Sequence, residues 1–444
     1  MERPAAFADP AFQRRRNANW IVLGLLYAFF YMSRYNFAAT MSELSKTFGW
    51  SNTQLGVFET TMPLVYGLSV VLNGPLADRF GGRKAFLFGA LGVTFMNFAF
   101  GACTLMKDVA APGTLLAVMA IIWGANGYFQ SFGALSIVKV NAHWFHVRER
   151  GTFAGVFGVL IRLGLILAFS GVPFILTVLP IRWAYWLPGT FVLVMFVVNL
   201  LWMRDSPKDA GFGDMDTGEG DADDGKPSNL KVVFEKVFAS KTTWMIALCS
   251  MMIGMVRRST VDSWYPKYFR EIHMGGAKAA DLAHYVPYQF AVWGIALLGI
   301  AGGFTFGIAS DRVYGGRRAP VITYGFVGMA GTLLLLGLSG RLGLGPFAPA
   351  LCLAILSFFV NGAHGMVGGA ASMDFGGRKA AATAAGLFDG MQYLASSLVG
   401  LGMGWVLDHW GWGAWPWVPI PFACVGAFII SRLWNAHPGA KGAH

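Results

Sequence analysis

Five stretches of this 444-residue chain contain no Asp, Glu, Lys or Arg: 85–106, 114–138, 183–203, 319–340 and 413–431. A helix of about 20 apolar residues crosses the hydrocarbon core of a bilayer, and no soluble fold of this size hides so many such runs from water. Other windows are equally long and carry one to three charges. Together they predict twelve spans, at 20–41, 57–76, 85–106, 114–138, 152–177, 183–203, 243–265, 285–309, 319–340, 346–372, 380–406 and 413–434. Only 13% of residues are charged, about half the share in a soluble domain. The expected class is therefore an all-α membrane protein, which excludes soluble enzymes, nucleic-acid modules and secreted disulfide scaffolds. Cys103, Cys249, Cys352 and Cys424 sit singly in apolar runs without disulfide or metal spacing, so neither a metal nor a cofactor is expected.

The net charge of +11 belongs to basic loops on one membrane face, not to a nucleic-acid partner. Of the 34 Lys and Arg residues, 22 fall on the side that holds both termini, seven on the other, and five in or near spans (Arg34, Lys139, Arg162, Arg257 and Arg258). Lysine and arginine collect on the cytoplasmic side, so the termini and the central segment are expected there, in a multi-pass protein of the cell (inner) membrane. The central segment, 204–242, is acidic and poor in apolar residues, which predicts a mobile linker. It divides the chain into a tail (1–19), a six-helix bundle (20–203), the linker, a second bundle (243–434) and a short tail (435–444).

The halves repeat each other. Gly74-Pro-Leu-Ala-Asp78-Arg79-Phe-Gly81-Gly-Arg83-Lys84 follows helix 2, and Gly307-Ile-Ala-Ser-Asp311-Arg312 with Gly315-Gly-Arg317-Arg318 follows helix 8. Gly155 and Gly386 open helices 5 and 11, and Trp20 with Arg34 matches Trp244 with Arg258. Duplicated six-helix halves mark alternating-access carriers, whose substrate site lies between the repeats near mid-membrane. The glycine-aspartate-arginine loop and its copy resemble the signature of the major facilitator superfamily, and the resemblance covers the chain. It implies two pseudo-symmetric six-helix bundles, with Asp78, Arg79, Arg83, Asp311, Arg312 and Arg317 as a gating charge cluster.

An ionisable residue inside a span marks function by default. Arg34 and Arg258 each lie 14 residues past their tryptophan, about 21 Å along a helix, near mid-membrane. Facing each other, two guanidinium forks suit one compact, doubly charged oxyanion. The other reading is that each neutralises a buried carboxylate, Glu59, Asp262 or Asp389. Tyr27 and Tyr31 share a helix face with Arg34, either to hydrogen-bond the same anion or simply to pack. Arg257 points about 100° away from Arg258, toward a neighbouring helix. Lys139 snorkels. Glu59 caps or gates, while Asp389 and His364 are proton-carrier candidates, His364 otherwise being a satisfied core histidine.

These residues resemble a narrower family, the organophosphate:inorganic phosphate antiporters. The shared strings are Tyr27-x3-Tyr31-x2-Arg34 followed by Asn36-Phe37-Ala38, and Arg258 eight residues before Pro266. Met203-Arg204-Asp205-Ser206-Pro207, His143-Trp144 and Arg148-Glu149-Arg150-Gly151 complete the set. The resemblance implies a phosphate held by Arg34 and Arg258. The chain departs from the family at Val70, Ile161, Tyr35 and Met255, so the substrate is not carried over. Arg162, beside Ile161, has Tyr393 as its repeat counterpart and meets either a second anionic group of the substrate or Asp389. The expected function is exchange of a small organic phosphate for inorganic phosphate by a monomer in the lipid bilayer. A proton-coupled carboxylate symporter and a transporter-like sugar-phosphate sensor are the alternatives.

Overall fold

The computed structural model describes residues 9–146, 150–213, 215, 217 and 240–436, and leaves the side chains of residues 71, 75, 78, 150–157 and 369–385 aside. Twelve membrane helices follow one another. The first four are α1 Pro10–Phe48, α2 Asn52–Phe80, α3 Gly82–Cys103 and α4 Pro112–Trp144. Next, α5 is Arg150–Ile166 carried through a π-helical turn, Leu167–Gly171, into Val172–Val178, and α6 is Trp183–Trp202. In the second half α7 is Lys241–Ser259, α8 Val286–Arg312, α9 Arg318–Arg341 and α10 Phe347–Gly365. A π-helical turn, Met366–Ala371, leads from α10 into α11, Ser372–Trp410, and α12 is Ile420–Ser431.

Among the described residues seven helices are long and apolar enough to cross a membrane: α3, α4, α5, α6, α8, α9 and α10. Those outside that set include α1, α2, α7 and α11, which carry Arg34, Glu59, the Arg257–Arg258 pair and Asp389. Polar residues have diluted these four because they form the seam between the halves. In the first half α4 packs on α2 and α3, while α6 packs on α1 and α3; in the second, α8 packs on α10 and α7 on α11 and α12. The halves meet mainly along α2 and α11.

Helix ends follow local chemistry. The Asp9 carboxylate accepts from Ala11 N (2.8 Å) and Pro10 opens α1, so the helix starts inside the expected tail. Gly49 ends it at φ 71°, a left-handed conformation open to glycine. A capping box, Ser51 with Gln54, starts α2.

Three expectations on connections are corrected. Residues 243–265 are not one helix: α7 stops at Ser259, and the chain turns before Tyr265–Tyr268 and the π-helical Phe269–His273. The Ser259 and Thr260 hydroxyls both donate to the Val256 carbonyl (2.9 and 2.6 Å), competing with the helix ladder, and the Trp415 indole N–H takes up the freed Ser259 carbonyl (2.6 Å). The expected break at 373–379 lies within α11. The linker's first residues are pinned rather than mobile. Asn19 and Arg204 exchange two hydrogen bonds (2.8 and 3.2 Å), and the Trp144 indole donates to the Arg204 carbonyl (3.1 Å). The acidic remainder of the linker, residues 218–239, lies outside the described residues, as do Arg148 and Glu149.

Candidate substrate-binding site

Arg34 is buried on α1 inside a cage of neutral groups. Its Nε and Nη2 donate to Gln130 Oε1 of α4 (3.4 and 3.2 Å), and its Nη1 donates to the Tyr393 hydroxyl of α11 (3.2 Å). The guanidinium carbon lies 4.5 Å from the Tyr66 ring centre and 4.9 Å from that of Tyr31, within cation–π range. Tyr27 meets Tyr31 edge-on at 5.2 Å, and Tyr66 touches Tyr393 at 4.3 Å. Gln130 is held in this orientation because its amide nitrogen is spent on the Phe30 carbonyl (3.0 Å). The α1 backbone is fixed nearby by a buried amide chain running from Asn36 to Asn97 to Asn126 and back to the Ser33 carbonyl. No carboxylate lies within ion-pair distance of Arg34 among the described residues. Its partners solvate the cation without cancelling its charge.

On α7 the two arginines exchange the expected roles. Arg258, expected to face Arg34, is neutralised by Glu59 of α2 (2.7 Å), both side chains being buried. Arg257 turns inward: its Nε donates to Asp262 (2.6 Å), which also accepts from the Tyr35 hydroxyl (3.3 Å). The same guanidinium is within electrostatic reach of Tyr31 and Tyr393, the residues that cage Arg34. The i,i+4 pairing of Arg258 with Asp262 is not made, because the chain leaves the helix at Thr260 (φ −128°, ψ −86°) and delivers Asp262 to Arg257. Trp244 and Arg258 lie on the unbroken part of α7, so their spacing fixes depth, whereas the facing of the side chain turns by 100° with one residue of error.

Arg162 of α5 meets Asn361 of α10 through a hydrogen bond from its Nη2 to Oδ1; it does not pair with Asp389. Asp389 has no hydrogen-bond or ion-pair partner among the described residues and feels Arg257 and Arg34 instead. His364 stands near Arg257, Arg162 and Asp262. The seam thus holds four guanidiniums (Arg34, Arg162, Arg257, Arg258) against three carboxylates (Glu59, Asp262, Asp389), a surplus of one positive charge. Among the described residues, the two arginines of the seam without an ion pair are Arg34 and Arg162.

The loop charges stay within their own halves. The Arg83 amide donates to Asp205 (2.6 Å) and its guanidinium to the Leu200 carbonyl. Asp311 pairs with Arg318, Arg317 donates to the Tyr314 carbonyl (3.1 Å), and Arg79 and Arg312 are exposed. Asp78 stands on α2 next to Arg79, and its side chain lies outside the description.

Sequence reasoning missed Gln130, Tyr66, Asn361 and the inward role of Arg257. The first three are uncharged, so counting charged residues inside spans passed over them. Buried amides and phenols in otherwise apolar helices were the available signal.

This arrangement defines a polytopic α-helical membrane protein with a cationic seam between two related halves. The chain belongs to the Major Facilitator Superfamily, which it matches over residues 23–400. It is 27% identical to the glycerol-3-phosphate transporter of Bacillus subtilis over 98% of this chain and 95% of that one. It is 26% identical to the membrane sensor protein UhpC of Salmonella typhimurium (96% and 93% covered). To the hexose-6-phosphate:phosphate antiporter of the same organism it is 24% identical (88% and 82% covered). Among solved structures, a D-xylose-proton symporter superposes with a TM-score of 0.72 at 16% identity, covering 95% and 98% of the two chains.

Proposed function

We propose that this protein is an alternating-access carrier that exchanges a small organic phosphate for inorganic phosphate, with both termini in the cytoplasm, and that it works as a monomer. It binds and moves an anion and catalyses no reaction. The observation that carries the reading is Arg34: a buried guanidinium held by two phenol rings, a phenol hydroxyl and an amide, with no carboxylate among the described residues to neutralise it. A phosphate dianion completes that environment, and Arg257, already oriented by Asp262, supplies the second fork. In this reading Tyr27 and Tyr31 shape the phosphate end, Tyr393 bonds Arg34 directly, and Arg258–Glu59 is an ion pair that locks the halves together and opens when they rock. The names of the relatives, two phosphate-ester carriers and a sensor, support a phosphate ester as ligand.

Exchange follows from the surplus charge. Unpaired buried cations are expensive, so the halves reorient readily only with an anion bound. Proteoliposomes loaded with phosphate should take up labelled phosphate and glycerol-3-phosphate, and empty ones should take up little. Concentrative uptake into phosphate-free vesicles driven by a proton gradient, lost in Asp389→Asn, would establish carboxylate-type symport instead. Binding without any flux would establish a sensor.

A further inference from the structure

The second unpaired guanidinium has its own built surroundings. Arg162 reaches across the seam from α5 to Asn361 on α10. The Asn361 amide nitrogen is committed to the Ser357 carbonyl and hydroxyl (both 2.9 Å), which fixes its oxygen toward Arg162. Gly299 of α8 makes room: a Cβ there would lie 3.0 Å from Asn361 Nδ2 and 3.1 Å from Arg162 Cζ. Arg162 is therefore a positioned cation with one neutral acceptor, and the remaining donors of its fork stay available. It is within electrostatic reach of Asp262, which is already paired with Arg257, and of Arg257, Tyr31 and Tyr35, and Tyr31 is also the ring on which Arg34 stacks. A ligand that meets both arginines needs two anionic ends on a short carbon skeleton.

We propose that Arg162 and Asn361 form a second anion subsite that takes a carboxylate, so that the substrate is a short phosphorylated carboxylic acid. The proposal rests on the phosphate reading above, which assigns the phosphate end to Arg34 and Arg257. A carboxylate fits better than a second phosphate, because its planar pair of oxygens matches one guanidinium fork. Among the described residues the second subsite also has no cation–π contact and no second arginine free of a carboxylate.

The test compares glycerol-3-phosphate with 3-phosphoglycerate, which share a three-carbon phosphate ester and differ by a carboxylate. Each competes against labelled phosphate exchange in proteoliposomes, and ligand-dependent thermal shifts of purified protein are read in parallel, so that variants unable to reorient still report binding. Wild type should prefer the phosphoglycerate by ten- to a hundredfold, the value of one charge-assisted hydrogen bond. Arg162→Ala should reduce that preference ratio by the same factor, Arg162→Lys should restore part of it, and Asn361→Leu should lower it by a smaller factor. Equal losses for both esters in Arg162→Ala and in Asn361→Leu, or no preference in wild type, would overturn the second subsite while leaving the phosphate reading intact. Absence of phosphate exchange and of phosphate-dependent shifts in wild type would overturn both.

Discussion

Arg257 and Arg258 are adjacent in sequence and opposite in role. Their side chains leave α7 about 100° apart, so one enters the seam beside the Arg34 cage and the other meets Glu59. Different experiments distinguish them. Arg34→Lys and Arg257→Lys should each reduce phosphate exchange at least a hundredfold with folding preserved, since lysine keeps the charge and loses the fork; exchange near wild type in either would remove that residue from the phosphate end. For Arg258 the expected loss is structural. Removing one member of a buried ion pair costs about 3–5 kcal/mol, whereas replacing both can be nearly neutral. Arg258→Gln and Glu59→Gln should each lower the thermal unfolding midpoint in detergent. The double variant should recover much of the loss, and additive losses would show that the pair is not coupled.

At the scale of elements, α2 and α11 close the seam on the side away from the termini through glycines. A Cβ at Gly400 would come 2.4 Å from the Thr60 amide nitrogen, and one at Gly404 would come 2.3 Å from the Asn52 carbonyl oxygen. The Thr60 hydroxyl donates to the Ser397 carbonyl (2.8 Å) and accepts from Leu401 N (2.9 Å). Gly400→Val should therefore part these helices, read as increased labelling of a cysteine placed at Ser397 and applied from that side. Unchanged labelling would mean the seam tolerates the side chain. The same seam ends in Asp408, which accepts from Asn52 N (2.9 Å), Thr53 N (2.7 Å) and the Thr53 hydroxyl (2.6 Å), capping α2 from the other half. Burial raises its pKa, but these hydrogen bonds outweigh burial and hold it below the ordinary carboxylate value. A depressed carboxylate favours the closed seam above its ordinary pKa, and that contribution is lost as pH falls through the depressed value. Labelling at the seam should accordingly rise at the acid end, below about pH 4. Asp408→Asn should give higher labelling at neutral pH and a flat acid profile. A wild-type profile without an acid rise would exclude the latch.

At the scale of the whole molecule, the bonds described between the halves lie at mid-membrane and on the side away from the termini: Arg34–Tyr393, Tyr35–Asp262, Glu59–Arg258, Arg162–Asn361, Ser170–Gln289 and the Asp408 cap. Toward the termini, a Cβ at Gly74, Gly158 or Gly386 would meet nothing within 4 Å. The described groups of the glycine-aspartate-arginine loops bond within their own halves, Arg83 to Asp205 and Asp311 to Arg318. If rocking requires a bound anion, phosphate on the far side should accelerate efflux of preloaded labelled phosphate at least tenfold. Efflux independent of external phosphate would count against obligatory exchange.

The sequence by itself determined the class, the duplicated halves and the helices that carry the polar residues. Charge-free runs have no stable home outside a bilayer, and a repeated loop at a fixed offset reports an internal duplication whatever the details of packing. It also placed Arg34 and Arg162 inside the membrane, because ionisable residues stand out against apolar helices. Only the tertiary structure decided their partners. Which carboxylate Arg257 meets depends on the break after Ser259, which delivers Asp262 to it, and Trp415, more than 150 residues away, takes up the Ser259 carbonyl at that break. Arg162 meets Asn361 rather than Asp389 because α8 offers a glycine at the crossing. Helical phase and cross-bundle contact are properties of packed helices, and pattern along the chain records the first only to within a residue and the second not at all.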